Sequence, residues 1–183
     1  TAFHSCFVAG IVAGDDVNNP GGDPNRGNAF NARLTFGNRF DLSLFGGDFS
    51  LLNYLTQAMN DGAFIHTNSW HEDTLGYTQE SADVDALIWF NEDNFLCGSS
   101  GNSTPGETIG PPGTAKNAVC VSAAQLDPNE LNAGDGNSGP TDDGRRKPDL
   151  FAPGCAITSS DVNTGCGTIQ SGCATSSATP ATA

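Results

Sequence analysis

The chain has 183 residues and a mass of 18.8 kDa, enough for one domain with a real core. Asp and Glu outnumber Lys and Arg by 21 to 7, giving a net charge of −14. The only dense basic cluster is Arg145-Arg146-Lys147, which argues against nucleic-acid binding. No apolar run approaches the roughly 18 residues of a membrane span, and there is neither a Met start nor a signal peptide. A processed or truncated product is the simplest account of both ends, and the acidity fits a soluble secreted protein.

In chain order, Val8 to Ala13 is short and apolar and predicts a buried helix beginning at His4. Asp15 to Asn31, rich in Asn, Gly, Pro and Asp, reads as a loop, and Ala32–Phe36 ("ARLTF") as a strand. Asp48 to Asn60 carries Phe49, Leu52, Leu55 and Met59 at helical spacing, with Asp48 as the expected N-cap and Asp61-Gly62 as the stop. Ala63–Ser69 is strand-like, Ser81–Phe90 predicts a helix with Val84, Leu87 and Ile88 on one face, and Asn94–Ser100 and Asn117–Ala124 are two more apolar strands. Gln125 to Cys173 reads as loop-dominated, with turn signals at "DPN", "GDGNSGP" and "GCGT". Alternating strands and helices predict an α/β fold whose parallel sheet is wrapped by helices. Active groups in such sheets collect at the carboxyl ends of the strands, where Asn68–Trp70 and Ser99–Asn102 fall.

Six Cys stand at 6, 97, 120, 155, 166 and 173, with no CxxC and no zinc-like His spacing, so no metal site is expected. Cys97 and Cys120 lie in apolar strands and read as free core thiols. One bridge is expected among Cys155, Cys166 and Cys173, in polar, Gly-rich sequence, with the pairing open. Calcium is the sharper reading of the acidity, but no loop shows a regular ligand ladder.

Three separated blocks carry chemistry: His4 in "FHSCFVAGIVAG", Asn102 in "GSSGNSTP" and Ser176 in "ATSSATP". They supply a general base, an oxyanion donor and a nucleophile. In this order, and with "HTNSW" at 66–70, "GPPGTAKNAVCVSAA" at 110–124 and "GPTDDGRRKPDLFAPG" at 139–154, the chain resembles the subtilisin-like serine proteases, the subtilases. The resemblance implies a three-layer α/β fold with a mainly parallel sheet, incomplete at both ends. Residues 1–183 would then be a partial peptidase domain, lacking the Asp-bearing N-terminal strand that packs against the His and the rest of the helix after the Ser.

Roles follow residue by residue from the same resemblance. Ser176 stands for the nucleophile, His4 for its base, and Asn102, with the backbone N–H of Ser176, for the oxyanion donors. The triad Asp is not in this chain and would come from another segment or chain. Ser69, Trp70 and His71 would face Ser99, Ser100 and Gly101 across the pocket for the residue before the scissile bond, pairing with an extended polypeptide substrate as an added strand. Thr175 and Pro180 would shape the turn around the nucleophile. No cofactor is required, and an extracellular location is implied.

The chain also departs from the family's pattern. Ser5, Cys6 and Phe7 follow His4, Ser99 and Ser100 replace two Ala, and His71 stands where Gly is common and would narrow the pocket. Ala174 replaces a Gly, which matters only if φ there is positive. Asn102-Ser103-Thr104 is the only N-x-S/T sequon, and a glycan on Asn102 would exclude the oxyanion role. A second reading therefore stands beside the endopeptidase: a degenerate subtilase domain serving as a structural or peptide-binding module in a larger assembly.

Overall fold

The computed structural model describes residues 2–16, 18–19, 22–37, 50–103, 108–126, 134–161, 163 and 167–183. Four parallel strands form the main sheet in the order β1-β2-β3-β4, with β1 at Ile65–Asn68, β2 at Phe95–Ser99, β3 at Val119–Ala124 and β4 at Leu150–Pro153. Pro153 ends an edge strand, where its missing N–H breaks no ladder. Successive side chains of β2 face opposite layers, as strand geometry requires. Leu96 joins Leu51 and Leu55 of α2 (Leu51–Asn60) and Val84 and Leu87 of α3 (Gln79–Phe90) in one core. Cys97 points the other way, into a core with Val121, Ala123, Ala152 and Ala178 of α4 (Thr175–Thr182). The result is the expected three-layer α/β arrangement.

The remaining helix, α1 (Ala2–Ala13), packs on α4 and on β5 (Thr158–Ser160), which pairs antiparallel with β6 (Thr168–Gln170). Its last carbonyls are satisfied by the returning loop, with Asn28 N–H donating to Ile11 O and Ala29 N–H to Val12 O. Gly27 permits that approach, because a Cβ there would lie 2.7 Å from the backbone nitrogens of Ala13 and Gly14.

Several expectations need correction. Residues 32–36 form no strand: they run as exposed coil, because a strand needs a ladder partner and none of the described strands supplies one. The helix placed at 48–60 starts at Leu51, with Ser50 as N-cap accepting from Asn53 N–H at 3.3 Å; Asp48 and Phe49 lie outside the described residues. The helix placed at 81–90 begins two residues earlier, at Gln79. The stretch from Gln125 to Cys173, read as loop-dominated, also contains β4, β5 and β6, strands of three or four residues too short for a period to register. Cys97 and Cys120 are indeed free and fully buried, and burial pushes both thiols up to about 12. Cys155 and Cys173 form the bridge. Lys147 belongs to no basic patch: it is buried and donates to Ala118 O at 2.8 Å and Asp149 Oδ2 at 2.6 Å. No helix among the described residues is long and apolar enough to cross a membrane.

Candidate active site

Ser176 is the second residue of α4, so its N–H lies in the first turn, where no intrahelical acceptor exists. The helix contains Pro180. Proline has no N–H to give the carbonyl four residues back, which is that of Ser176. Ser69 fills the vacancy: its Oγ donates to Ser176 O at 3.0 Å, while Ser176 Oγ donates to Ser69 O at 3.3 Å. This reciprocal pair fastens the candidate nucleophile to the carboxyl end of β1. Pro180 thus does more than shape a turn.

Asn102 is exposed, and its side-chain carbonyl accepts from Thr175 N–H at 2.7 Å and Thr175 Oγ1 at 2.8 Å. That use of Oδ1 fixes the amide plane and leaves the NH2 end to serve another acceptor. The turn carrying Asn102 is bracketed by Asn137, whose N–H donates to Gly101 O at 3.1 Å, whose Oδ1 accepts from Ser103 N–H at 3.0 Å, and whose Nδ2 donates to Thr108 O at 2.9 Å. Gly101 has φ +106, and a Cβ there would lie 2.7 Å from Asn137 Nδ2, so both conformation and space require glycine. The sequence reading missed Asn137; its "GDGNSGP" surroundings signal only a turn.

His4 lies in the first turn of α1, whose packing on α4 sets the candidate base's helix beside the candidate nucleophile's. Though exposed at its surface, the ring is hemmed in enough that burial lowers its pKa below the usual histidine value. A neutral imidazole is the form a base needs. Asp15, Asp16 and Asp23 are engaged at the other end of α1, which is about 13 Å further along the axis. Asp15 pairs with Arg26 at 2.9 Å, Asp16 Oδ1 accepts from Asn18 N–H, and Asp23 accepts from Asp16 N–H and Asn25 N–H.

The two expected rims are joined, since Ser99 Oγ donates to Trp70 O at 3.0 Å. Trp70 packs its indole against the α2–α3 core and donates Nε1–H to Asn68 Oδ1, so packing occupies its side chain. Ser100 is wholly buried and Gly101 buried beside it. The adjoining cavity, about 230 Å³, is lined by His71, Glu72, Asp73, Leu75, Ser103, Thr108 and Asn137. Of the expected rim residues only His71 lines it, with Nε2 at 3.5 Å from Asp73 Oδ1. Ala174 has φ −158, ordinary extended backbone, so its Cβ causes no strain.

The Subtilase family profile matches residues 2–183. No curated protein matches the chain in sequence. Solved structures similar in fold include the prenylagaramide maturation protease PagA, with 24% identity, TM-score 0.69 and coverage of 97% of this chain and 60% of that one. The PatG macrocyclase in complex with peptide aligns at 19% identity and TM-score 0.72, covering 98% and 50%, and sphericase at 22% and 0.70, covering 98% and 60%. The chain therefore spans half to three fifths of the length of these structures.

Proposed function

The chain belongs to the subtilase family, and from that premise we propose that it is the His-to-Ser portion of an extracellular serine endopeptidase domain. The observation that carries the proposal is the pinning of two separate loops to the start of α4: Asn102 to Thr175, and Ser69 to Ser176. It puts a hydroxyl, a side-chain amide and an unpaired first-turn N–H at the carboxyl ends of β1 and β2.

In this reading Ser176 Oγ attacks the scissile carbonyl carbon of an extended polypeptide while His4 takes the hydroxyl proton. The carbonyl electrons move to oxygen, and that oxyanion accepts from Asn102 Nδ2–H and Ser176 N–H, next to the positive end of α4. Collapse expels the amine, which receives the proton from His4, and leaves an acyl ester on Ser176. Water, deprotonated by His4, then hydrolyses that ester. An Asp contributed by a further segment or chain would hold the imidazole tautomer. The Cys155–Cys173 disulfide supports an oxidising, extracellular setting.

One observation favours the non-catalytic reading. Ser176 Oγ directs its proton at Ser69 O, so attack requires that bond to break in favour of His4. Incubating the full-length protein with an unfolded protein substrate, beside its Ser176→Ala variant, separates the two. Internal peptide cleavages that vanish in the variant support the endopeptidase. Equal fragments, or none from either, support the scaffold.

A further inference from the structure

We propose that the Cys155–Cys173 disulfide is a positioning element for Ser176: it clamps the approach to α4 so that Thr175 meets Asn102 and Ser176 meets Ser69. Only Ala174 and Thr175 separate the bridged Cys173 from Ser176.

The start of α4 has no side-chain cap from its own segment. Its N-cap is Ala174, which makes no side-chain capping bond. An internal proline, Pro180, also removes one hydrogen bond from its ladder. The chain arrives from β6, which is exposed along its length and pairs only with β5 among the described strands. The last strand before Cys173 is thus not itself buried in the core.

The bridge supplies that anchor from the sheet. Cys155 lies two residues beyond Pro153, the end of β4, and Gly154 N–H donates to Ala124 O at the end of β3. Cys155 and Cys173 face each other as an antiparallel bridge, flanked by Ala174 N–H to Gly154 O at 3.0 Å and Ala156 N–H to Gly172 O at 3.2 Å. The fit is tight. A Cβ at Gly154 would lie 2.7 Å from Ala174 O and from Ala123 Cβ, and one at Gly134 would lie 2.5 Å from Cys155 Sγ. A continuous path thus runs from β3 and β4 through the disulfide to Ala174, Thr175 and Ser176. The rims at 69–71 and 99–101 are carried by β1 and β2, outside the 155–173 segment that the bridge closes.

The kinetic arm of the test rests on Ser176 being the nucleophile; the structural arm does not. The full-length protein is compared in its oxidised form, after reduction with a phosphine and alkylation of the freed thiols, and as the Cys155→Ser/Cys173→Ser double variant. Amide hydrogen exchange at Ala174 and Thr175 is expected to accelerate on the order of tenfold or more without the bridge, while residues 119–124 of β3 keep their protection. Labelling of Ser176 by a fluorophosphonate slows in parallel, and with peptide substrate kcat falls while KM holds. Unchanged exchange at Ala174 and Thr175 overturns the proposal, as does an equal loss of protection in β3 and α4, which marks a merely global stabiliser. Absence of labelling in every form refutes the nucleophile reading and leaves the exchange result to decide the clamp.

Discussion

Asn102 is asked to do two things at once, and two substitutions separate them. Its Oδ1 satisfies the N–H and Oγ1 of Thr175, which is wholly buried, at 2.7 and 2.8 Å. Its NH2 end is the proposed oxyanion donor. Asn102→Ala removes both ends. Two hydrogen bonds, each worth about 0.5–1.5 kcal/mol, are lost with their buried donors left unsatisfied, so the folded state should weaken by about 1–3 kcal/mol. Asn102→Asp keeps an acceptor for Thr175 and sets a negative charge at the start of α4, so its stability should match the parent within about 0.5 kcal/mol. Neither variant can donate to an oxyanion. Loss of such a donor costs about 2.7–4 kcal/mol, or 10²–10³ in kcat, a range measured on subtilisin itself and taken over here rather than obtained from this structure. Denaturant melts and peptidase assays on the full-length protein read both quantities. Equal stability of Asn102→Ala and Asn102→Asp would refute the Oδ1–Thr175 pairing, and undiminished kcat in either would refute the oxyanion role.

Three further outcomes follow from the same geometry. Ser69→Ala strips the Ser176 carbonyl of its donor and should cost about 1–3 kcal/mol in a chemical melt; in a Pro180→Ala background the new N–H at 180 can take over, so the cost should shrink in a double-mutant cycle. Gly10→Ala should destabilise by about 1–3 kcal/mol despite better helix propensity, because its Cβ falls 2.9 Å from Ser160 Cβ and closer still to the hydroxyl of Ser159, which is bonded to Phe7 O; thermal unfolding reads it. Burial lowers the pKa of both His4 and His66, the latter partly offset by its hydrogen bond to Asn94. Unfolded histidines, near 6.5, then bind more protons than folded ones, so stability holds above about pH 6.5 and declines as pH falls from there through the lower native values; Asn94→Ala should change that acid limb, measured by melts across pH.

Much of the layered core was legible because its periods are strong: Leu55, Val84 and Leu87 and the runs at 95–99 and 119–124 stand out by apolar spacing, whereas the spacing picked Leu52 on α2 and the structure buries Leu51 more deeply. Strands β4 to β6 were not, since three or four residues carry no period and their pairing depends on distant segments. "ARLTF" shows the converse, a strand-like pattern left as coil for want of a neighbour. His4, Asn102 and Ser176 were singled out as candidates by motif order, whereas Asn137 and the tie between Ser69 and Ser176 are products of chain crossing. Pro180 was visible as a residue, but the carbonyl it frees acquires meaning only once β1 lies beside α4.

The most direct test of the account is covalent labelling of the native full-length protein with a fluorophosphonate, followed by mass mapping of the modified peptide and repetition on His4→Ala. Label confined to Ser176 in the parent and strongly reduced in His4→Ala is the predicted result, because the hydroxyl reacts only with an assembled base and oxyanion site. No label on Ser176 in protein shown to be folded, or equal labelling without His4, would contradict it.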